Sequence, residues 1–249
     1  MIDMGGLPLS FEQWRDRVKA NLDRDLPNVT RVEWLGKAPP MCIVATGPSL
    51  KRHLGALKRL RKQGARLMAL NRAYSMLVRE GLPPDLHVMM HPVGMLDAIE
   101  PRDKNTWHLL ASQVEPEVFD ALKDRRVAMW HAHSPGFEHW GDPRIEAIMV
   151  EAATVGVASL HLSRFLGQRD LHLFGFDGSH QGTKRHFRHQ AGDEALPGMQ
   201  IDYGGEKFTL DGHLAVQAEQ FSHVAKRQFF NMTFHGRGLL AAIYEKEAA

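Results

Sequence analysis

Four consecutive residues, Thr46-Gly47-Pro48-Ser49, sit between an apolar run at 41–45 and leucines that recur at helical spacing, Leu50, Leu54, Leu57 and Leu60. A strand that enters a helix through such a turn leaves the first N–H groups of the helix unpaired. It also puts the positive end of the helix dipole at the turn, and the two effects together favour phosphate. Pro48 suits the first helical position, where no N–H is needed. Gly47 tolerates positive φ and lets a ligand approach the backbone, while Thr46 and Ser49 bring hydroxyls. The chemistry would be anion binding without a P-loop lysine, because neither G-x-G-x-x-G nor G-x-x-x-x-G-K-[ST] occurs. A strand-to-helix corner with no ligand uses the same residue types, so the turn alone leaves both readings open.

Other polar residues fall at strand ends. Asn71 closes the apolar run "ARLMALN" and Asp177 closes "DLHLFGFD", whereas Asp85 begins "DLHVMMHP". In open α/β sheets ligands bind beyond the carboxyl ends of the strands. Asn71 and Asp177 therefore belong to the same edge as the turn, and Asp85 to the opposite one. Either residue could also simply cap its turn. The segment "HQGTKRHFRHQ" places His180, His186 and His189 among Lys184, Arg185 and Arg188. It reads as a lid whose cations neutralise phosphate and whose histidine acts as general acid or base, or as a solvated basic loop. No cysteine or tightly spaced acid completes a zinc set there. His87 and His172 lie inside apolar runs and read as packed residues. His131 and His133 alternate at the end of "RVAMWHA", so only one of them can face a site.

The elements that position these groups alternate. Strands are expected at 41–45, 65–71, 85–92, 106–112, 126–132 and 170–176. Helices are expected at 48–63, 72–81, 116–124 and 154–167, with Gly64 and Gly167 as stops. The strands are continuous apolar runs, as in a sheet buried on both faces. The fold class is α/β, a mostly parallel sheet with helices on both faces. Ser10 caps a helix over 10–24, and residues 1–40 form an N-terminal helical arm ahead of a domain at 41–249. The polar stretch 177–200 is long enough to be functional or disordered. A hairpin around Gly204-Gly205, a long amphipathic helix, a strand and a short helix complete the chain.

The 249 residues carry 31 basic and 29 acidic side chains, a net charge of +2, which gives no electrostatic case for nucleic acid. Cys42 is the only cysteine and lies in an apolar run, so it reads as a small core residue in a reducing compartment. No stretch has the basic start and apolar core of a signal peptide, and none spans a bilayer. A cytoplasmic location is the expectation, and a homo-oligomer is compatible with it.

The ordered set "VATGPSL", "ALNRAYSMLVREGLPPDLHVMMHP" and "TVGVASLHLSRFLGQRDLHLFGFDGS" resembles the 6-hydroxymethylpterin diphosphokinase MptE-like family, which includes the central domain of the motility accessory factors. The order is also similar to that of bacterial CMP-sialic-acid-dependent sialyltransferases. The resemblance spans about residues 41–240. It implies a Rossmann-like fold with a nucleotide at the turn. Thr46, Gly47, Pro48 and Ser49 would hold phosphate and Asn71 would face ribose or base. Thr154 and Gly156 would face substrate, and Asp177 would be the acidic strand end. It implies pyrophosphoryl transfer from ATP to a 6-hydroxymethylpterin with Mg2+, or transfer from a CMP-activated sugar to a small-molecule acceptor. Departures from the pattern at His91 and Val155 leave a nucleotide-binding protein without turnover as a further expectation. His186 matches a histidine placed after the strand end. Two positions depart from the pattern. His91 stands where members have a second Asp, and imidazole suits Mg2+ badly, which would shift the metal onto Asp177. Val155 stands where the sialyltransferases have Ser.

Overall fold

A computed structural model of the chain describes residues 10–31, 39–92, 95–100, 103–133, 149–182 and 198–248. The strands are β1 Met41–Val44, β2 Arg66–Leu70, β3 Leu86–Met89, β4 Trp107–Ala111, β5 Arg126–His133, β6 Met149–Glu151, β7 Asp170–Phe174, β8 Met199–Tyr203, β9 Glu206–Leu210 and β10 Asn231–His235. The helices are α1 Phe11–Leu22, α2 Leu50–Lys62, α3 Ala73–Arg79, α4 Pro116–Ala121, α5 Val155–Phe165, α6 Gly212–Lys226 and α7 Leu239–Glu247.

Eight strands form one sheet in the order β10-β7-β1-β2-β3-β4-β5-β6, and every pair in it runs parallel. The chain first builds outward from β1 through β2 to β6. It then returns to the other side of β1 for β7 and β10. The order reverses between β1 and β7, and that reversal opens a crevice at the carboxyl ends of these two strands. β8 and β9 form a separate antiparallel hairpin whose turn is Gly204-Gly205, both with positive φ.

Period-two alternation along β1 sorts its side chains between two cores. Cys42 and Val44 join Leu50, Leu57, Tyr74 and Leu77 under α2 and α3. Met41 and Ile43 join the larger cluster on the other face, with Val157, Leu160 and Phe221 from α5 and α6. Helices thus cover both faces, and the fold is Rossmann-like.

The N-terminal helix belongs to this larger core. Ser10 and Gln13 form a reciprocal capping box on α1. Val18 and Leu22 are buried, and Asn21 Nδ2 donates to the carbonyls of Ser112 and Val114 at 2.8 Å each. Two details differ from the sequence expectation. α2 starts at Leu50, so Pro48 lies in the turn before the helix. The three-residue strand β6 was not expected, because it is too short to show a period.

Candidate functional site

The turn after β1 and the loop after β7 are joined rung by rung. Ala45 N–H donates to Phe174 O at 2.9 Å, Gly47 N–H to Gly175 O at 3.0 Å, and Ser49 N–H to Asp177 Oδ2 at 3.0 Å. The β1–β7 ladder therefore continues beyond the strands. A Cβ on Gly47 would lie 2.9 Å from the Gly175 carbonyl carbon, and closer still to its oxygen and to Asp177 Oδ2. Gly47 is thus required by the chain's own backbone. It is not among the glycines with positive φ. Close packing of the two loops accounts for a glycine here without a ligand.

Asp177 is buried, 6% exposed. Its carboxylate occupies the start of α2, where the positive dipole end was expected to hold an external phosphate. Burial raises its pKa above the usual carboxylate range, opposed by the Ser49 hydrogen bonding and the charges of Arg52 and His53. That setting disfavours a Mg2+ ligand, because the carboxylate is buried, its Oδ2 already accepts the Ser49 N–H, and the neighbouring charges of Arg52 and His53 repel a cation. Among the described residues no group of three or more His, Cys, Asp or Glu is arranged for a metal.

Asn71 sits at the carboxyl end of β2 with φ +45°, a left-handed conformation that Asn tolerates better than most residues. Its Oδ1 accepts from Met90 N–H at 3.2 Å, and its own N–H donates to Val88 O at 2.9 Å. Its carbonyl accepts from His87 Nε2–H at 3.0 Å. With that proton on Nε2, His87 Nδ1 must be an acceptor, so His108 donates Nδ1–H across 3.1 Å. Both rings are buried; His87 stacks on Tyr74 and His108 meets it edge-on. Burial pushes His108 down to about 4, and His87 is also driven well below its usual value. Asn71 is thus held from beneath by a neutral histidine pair.

Thr154 caps α5, its Oγ1 accepting from Val157 N–H at 3.4 Å. A Cβ on Gly156 would lie 2.6 Å from Gln217 Nε2 and 3.5 Å from Phe176. The start of α5 therefore abuts α6 and the residue before Asp177. Asp85 is at the opposite edge, as expected, bound to Arg61 by two hydrogen bonds and accepting from Leu67 N–H. Cys42 is fully buried and its thiol is pushed up to about 12 by burial, consistent with a core residue. His186 and His189 lie outside the described residues.

The histidine of that loop that is described is His180. Its N–H donates to Thr209 O at 2.7 Å, tying the loop to β9. Its Nε2 lies 3.2 Å from Asp211 Oδ2. Asp211 is 1% exposed, and its other oxygen caps α6 by accepting from Leu214 N–H at 3.0 Å. A buried carboxylate fixes Nε2 as the donor and leaves Nδ1 as the basic nitrogen. Ser49, Asp177, Ser179 and His180, with Arg52 and Arg237, line one cavity of about 160 Å³. Sequence reasoning could not find the pair, because Asp211 is 31 residues away and reads as a helix cap.

A parallel sheet with an order reversal, a Gly-Pro-Ser turn at it, and a carboxylate-held histidine beside the turn together define a Rossmann-like protein with a candidate transfer site at its carboxyl edge. The chain belongs to the family described as 6-hydroxymethylpterin diphosphokinase MptE-like, whose pattern it matches over residues 14–183. Among solved structures it is similar to the MAf glycosyltransferase from Magnetospirillum magneticum AMB-1, at 17% identity and a TM-score of 0.68 over 90% of this chain. The chain spans 37% of that protein's length, and the likeness is one of fold. No curated protein matches the sequence.

Proposed function

We propose that the chain is a nucleotide-binding transferase in which an acceptor hydroxyl attacks a nucleotide-activated donor and His180 takes the hydroxyl proton. The observation that carries this reading is the His180–Asp211 pair beside the Gly-Pro-Ser turn, at the point where the sheet order reverses. Asp211 holds the imidazole in one tautomer, so Nδ1 receives the proton, and its charge stabilises the imidazolium that forms. The bond from the acceptor oxygen to the donor forms as the bond to the leaving nucleotide breaks.

Two donors fit this scheme. In the first, a CMP-activated sugar is attacked at its anomeric carbon and CMP leaves. The setting of Asp177 favours it, since the reaction asks for a general base and needs no metal at that carboxylate. The glycosyltransferase of similar fold is in line with it. In the second, ATP gives pyrophosphate to a 6-hydroxymethylpterin and AMP leaves, the reaction named in the family description.

The test is a thermal-shift panel with CMP, CTP, ATP, ADP, GTP and UDP, each with and without Mg2+. Ligand at about 100 times its Kd stabilises by ~2.7 kcal/mol, a rise of about 5–10 °C for a chain of this size. A metal-independent shift with cytidine nucleotides selects sugar transfer. A Mg2+-dependent shift with ATP selects pyrophosphoryl transfer. No shift with any nucleotide sinks the reading.

A further inference from the structure

A second and larger cavity, of about 700 Å³, runs along the outer edge of β10, the edge strand of the sheet beside β7. Its walls include Arg52 and His53 from α2, Phe234 from β10, Arg237, and Tyr244 and Glu245 from α7. Its volume is in the range of sites that hold a whole small molecule. Arg52 and Arg237 also line the smaller cavity that contains His180, so the two arginines stand between the compartments.

Arg237 is placed there by backbone packing. It is flanked by two glycines that nothing larger can replace without a shift. A Cβ on Gly236, whose φ is +138°, would lie 2.7 Å from Ser49 Cβ, and one on Gly238 would lie 2.7 Å from Asp177 Cα. The segment is thereby fastened against the Gly-Pro-Ser turn on one side and the Asp177 loop on the other. That brings its arginine beside Arg52, in the first turn of α2. Neither arginine forms an ion pair with a described residue. His235 and His172, behind His53, are both shifted by burial toward the neutral form and add no charge at neutral pH. The acids nearby are Glu245 in the groove, with Asp177 and Glu206 in the smaller cavity. Both arginines line the same two cavities, and guanidinium groups suit the oxyanions of phosphate and carboxylate.

We propose that this groove is the acceptor site, binding a small molecule with a phosphate or carboxylate held between Arg52 and Arg237 and a flat or apolar body against Phe234 and Tyr244. The proposal rests on the transferase reading for the word acceptor, and on the groove alone for the binding. An anion at the two arginines lies on the boundary between the compartments. The acceptor's body then occupies the groove, and its reacting end extends toward His180.

The test is calorimetric titration of the intact chain with phenyl phosphate, a flat body with one phosphate, and with inorganic phosphate. The variants are Arg52→Gln, Arg237→Gln and Glu245→Gln, with melting curves to show that each is folded. Phenyl phosphate is expected to saturate one site and to bind more tightly than inorganic phosphate. Arg237→Gln and Arg52→Gln should each weaken it about tenfold, the worth of one charged hydrogen bond. Glu245→Gln should tighten it by about two- to fivefold, as expected for removing one exposed like charge. A purely structural role for these side chains would not produce opposite signs. Absence of saturation, equal affinity for the two phosphates, or unchanged affinity in folded Arg237→Gln would each overturn the proposal. If phenyl phosphate binds as expected while no nucleotide shifts the wild-type melting curve, the groove stands and the transferase reading falls. The reverse pattern removes the groove and leaves that reading intact.

Discussion

Replacing Gly47 by Ala separates two accounts of the Gly-Pro-Ser turn. If this glycine exists to admit a ligand, a methyl group there leaves the folded chain as stable as before and costs only binding. The structure demands a different outcome. The new Cβ would lie within 3.0 Å of Gly175 C and O and of Asp177 Oδ2, and two of these three atoms are backbone that no rotamer change can move. Relief requires the β1 and β7 loops to part, which stretches the 3.0 Å bonds from Gly47 N–H to Gly175 O and from Ser49 N–H to Asp177 Oδ2. Overpacking of this kind costs about 1–3 kcal/mol, and weakening a buried hydrogen bond adds ~1 kcal/mol. The sum, about 2–4 kcal/mol, lowers the melting temperature of a chain this long by about 5–15 °C. Thermal melts and urea curves of Gly47→Ala read this directly. Gly55→Ala serves as the control. Gly55 lies inside α2, and a Cβ there meets nothing nearer than Arg59 Nη1 at 3.9 Å. That change should stabilise by about 0.5–1 kcal/mol. A Gly47→Ala chain melting within about 1 °C of wild type would refute the packing argument and restore the ligand-approach account.

Asp177→Asn keeps an acceptor for Ser49 N–H and removes a carboxylate whose ionisation burial disfavours, so its stability at pH 7 should equal or exceed that of wild type. Asp177→Ala should lose about 1–3 kcal/mol, and an Asn variant as unstable as the Ala one would contradict this account of the turn. Asp211→Asn should melt within about 1 kcal/mol of wild type, since Asn caps helices as well as Asp does. In whichever transfer assay first shows turnover, both it and His180→Gln should lower kcat, the latter by about 10²–10⁴; full activity in folded His180→Gln would remove the proposed base. Stability should also fall on mild acidification. The unfolded chain protonates His108 near its usual 6.5, while the folded chain resists until about 4. The contribution is therefore complete above pH 6.5 and is lost progressively as pH falls toward 4. For His108 alone this is about 2 kcal/mol between pH 7 and 5, and His87 acts with the same sign. Urea unfolding at those two pH values, with no difference found, would rule out the buried neutral pair.

The architecture was legible in the chain because continuous apolar runs, helical leucine spacing and glycine stops are local signals. β1 to β5 and β7 follow from runs such as "MCIV" and "RLMAL", and Gly64 and Gly167 end their helices with positive φ as expected. The edge assignment of Asn71, Asp177 and Asp85 also follows, since strand polarity in a parallel sheet fixes which end each residue occupies. The roles of these residues were not legible. The sequence shows a Gly-Pro-Ser turn and an aspartate 128 positions later, and only the pairing of β1 with β7 brings Asp177 onto Ser49 N–H. It shows Asn71 as a polar strand end, and only the packing of β3 beside β2 reveals that His87 and Met90 hold it.

What the sequence determined by itself is the order and polarity of the elements, because short-range periodicity and turn chemistry are properties of neighbouring residues. Tertiary structure alone decided which groups meet. It filled the start of α2 with the chain's own carboxylate, set His180 on Asp211, and placed Arg237 beside Arg52 between two cavities. Such contacts join residues far apart in the chain. Their geometry depends on strand order and loop packing, and neither is encoded in any local stretch.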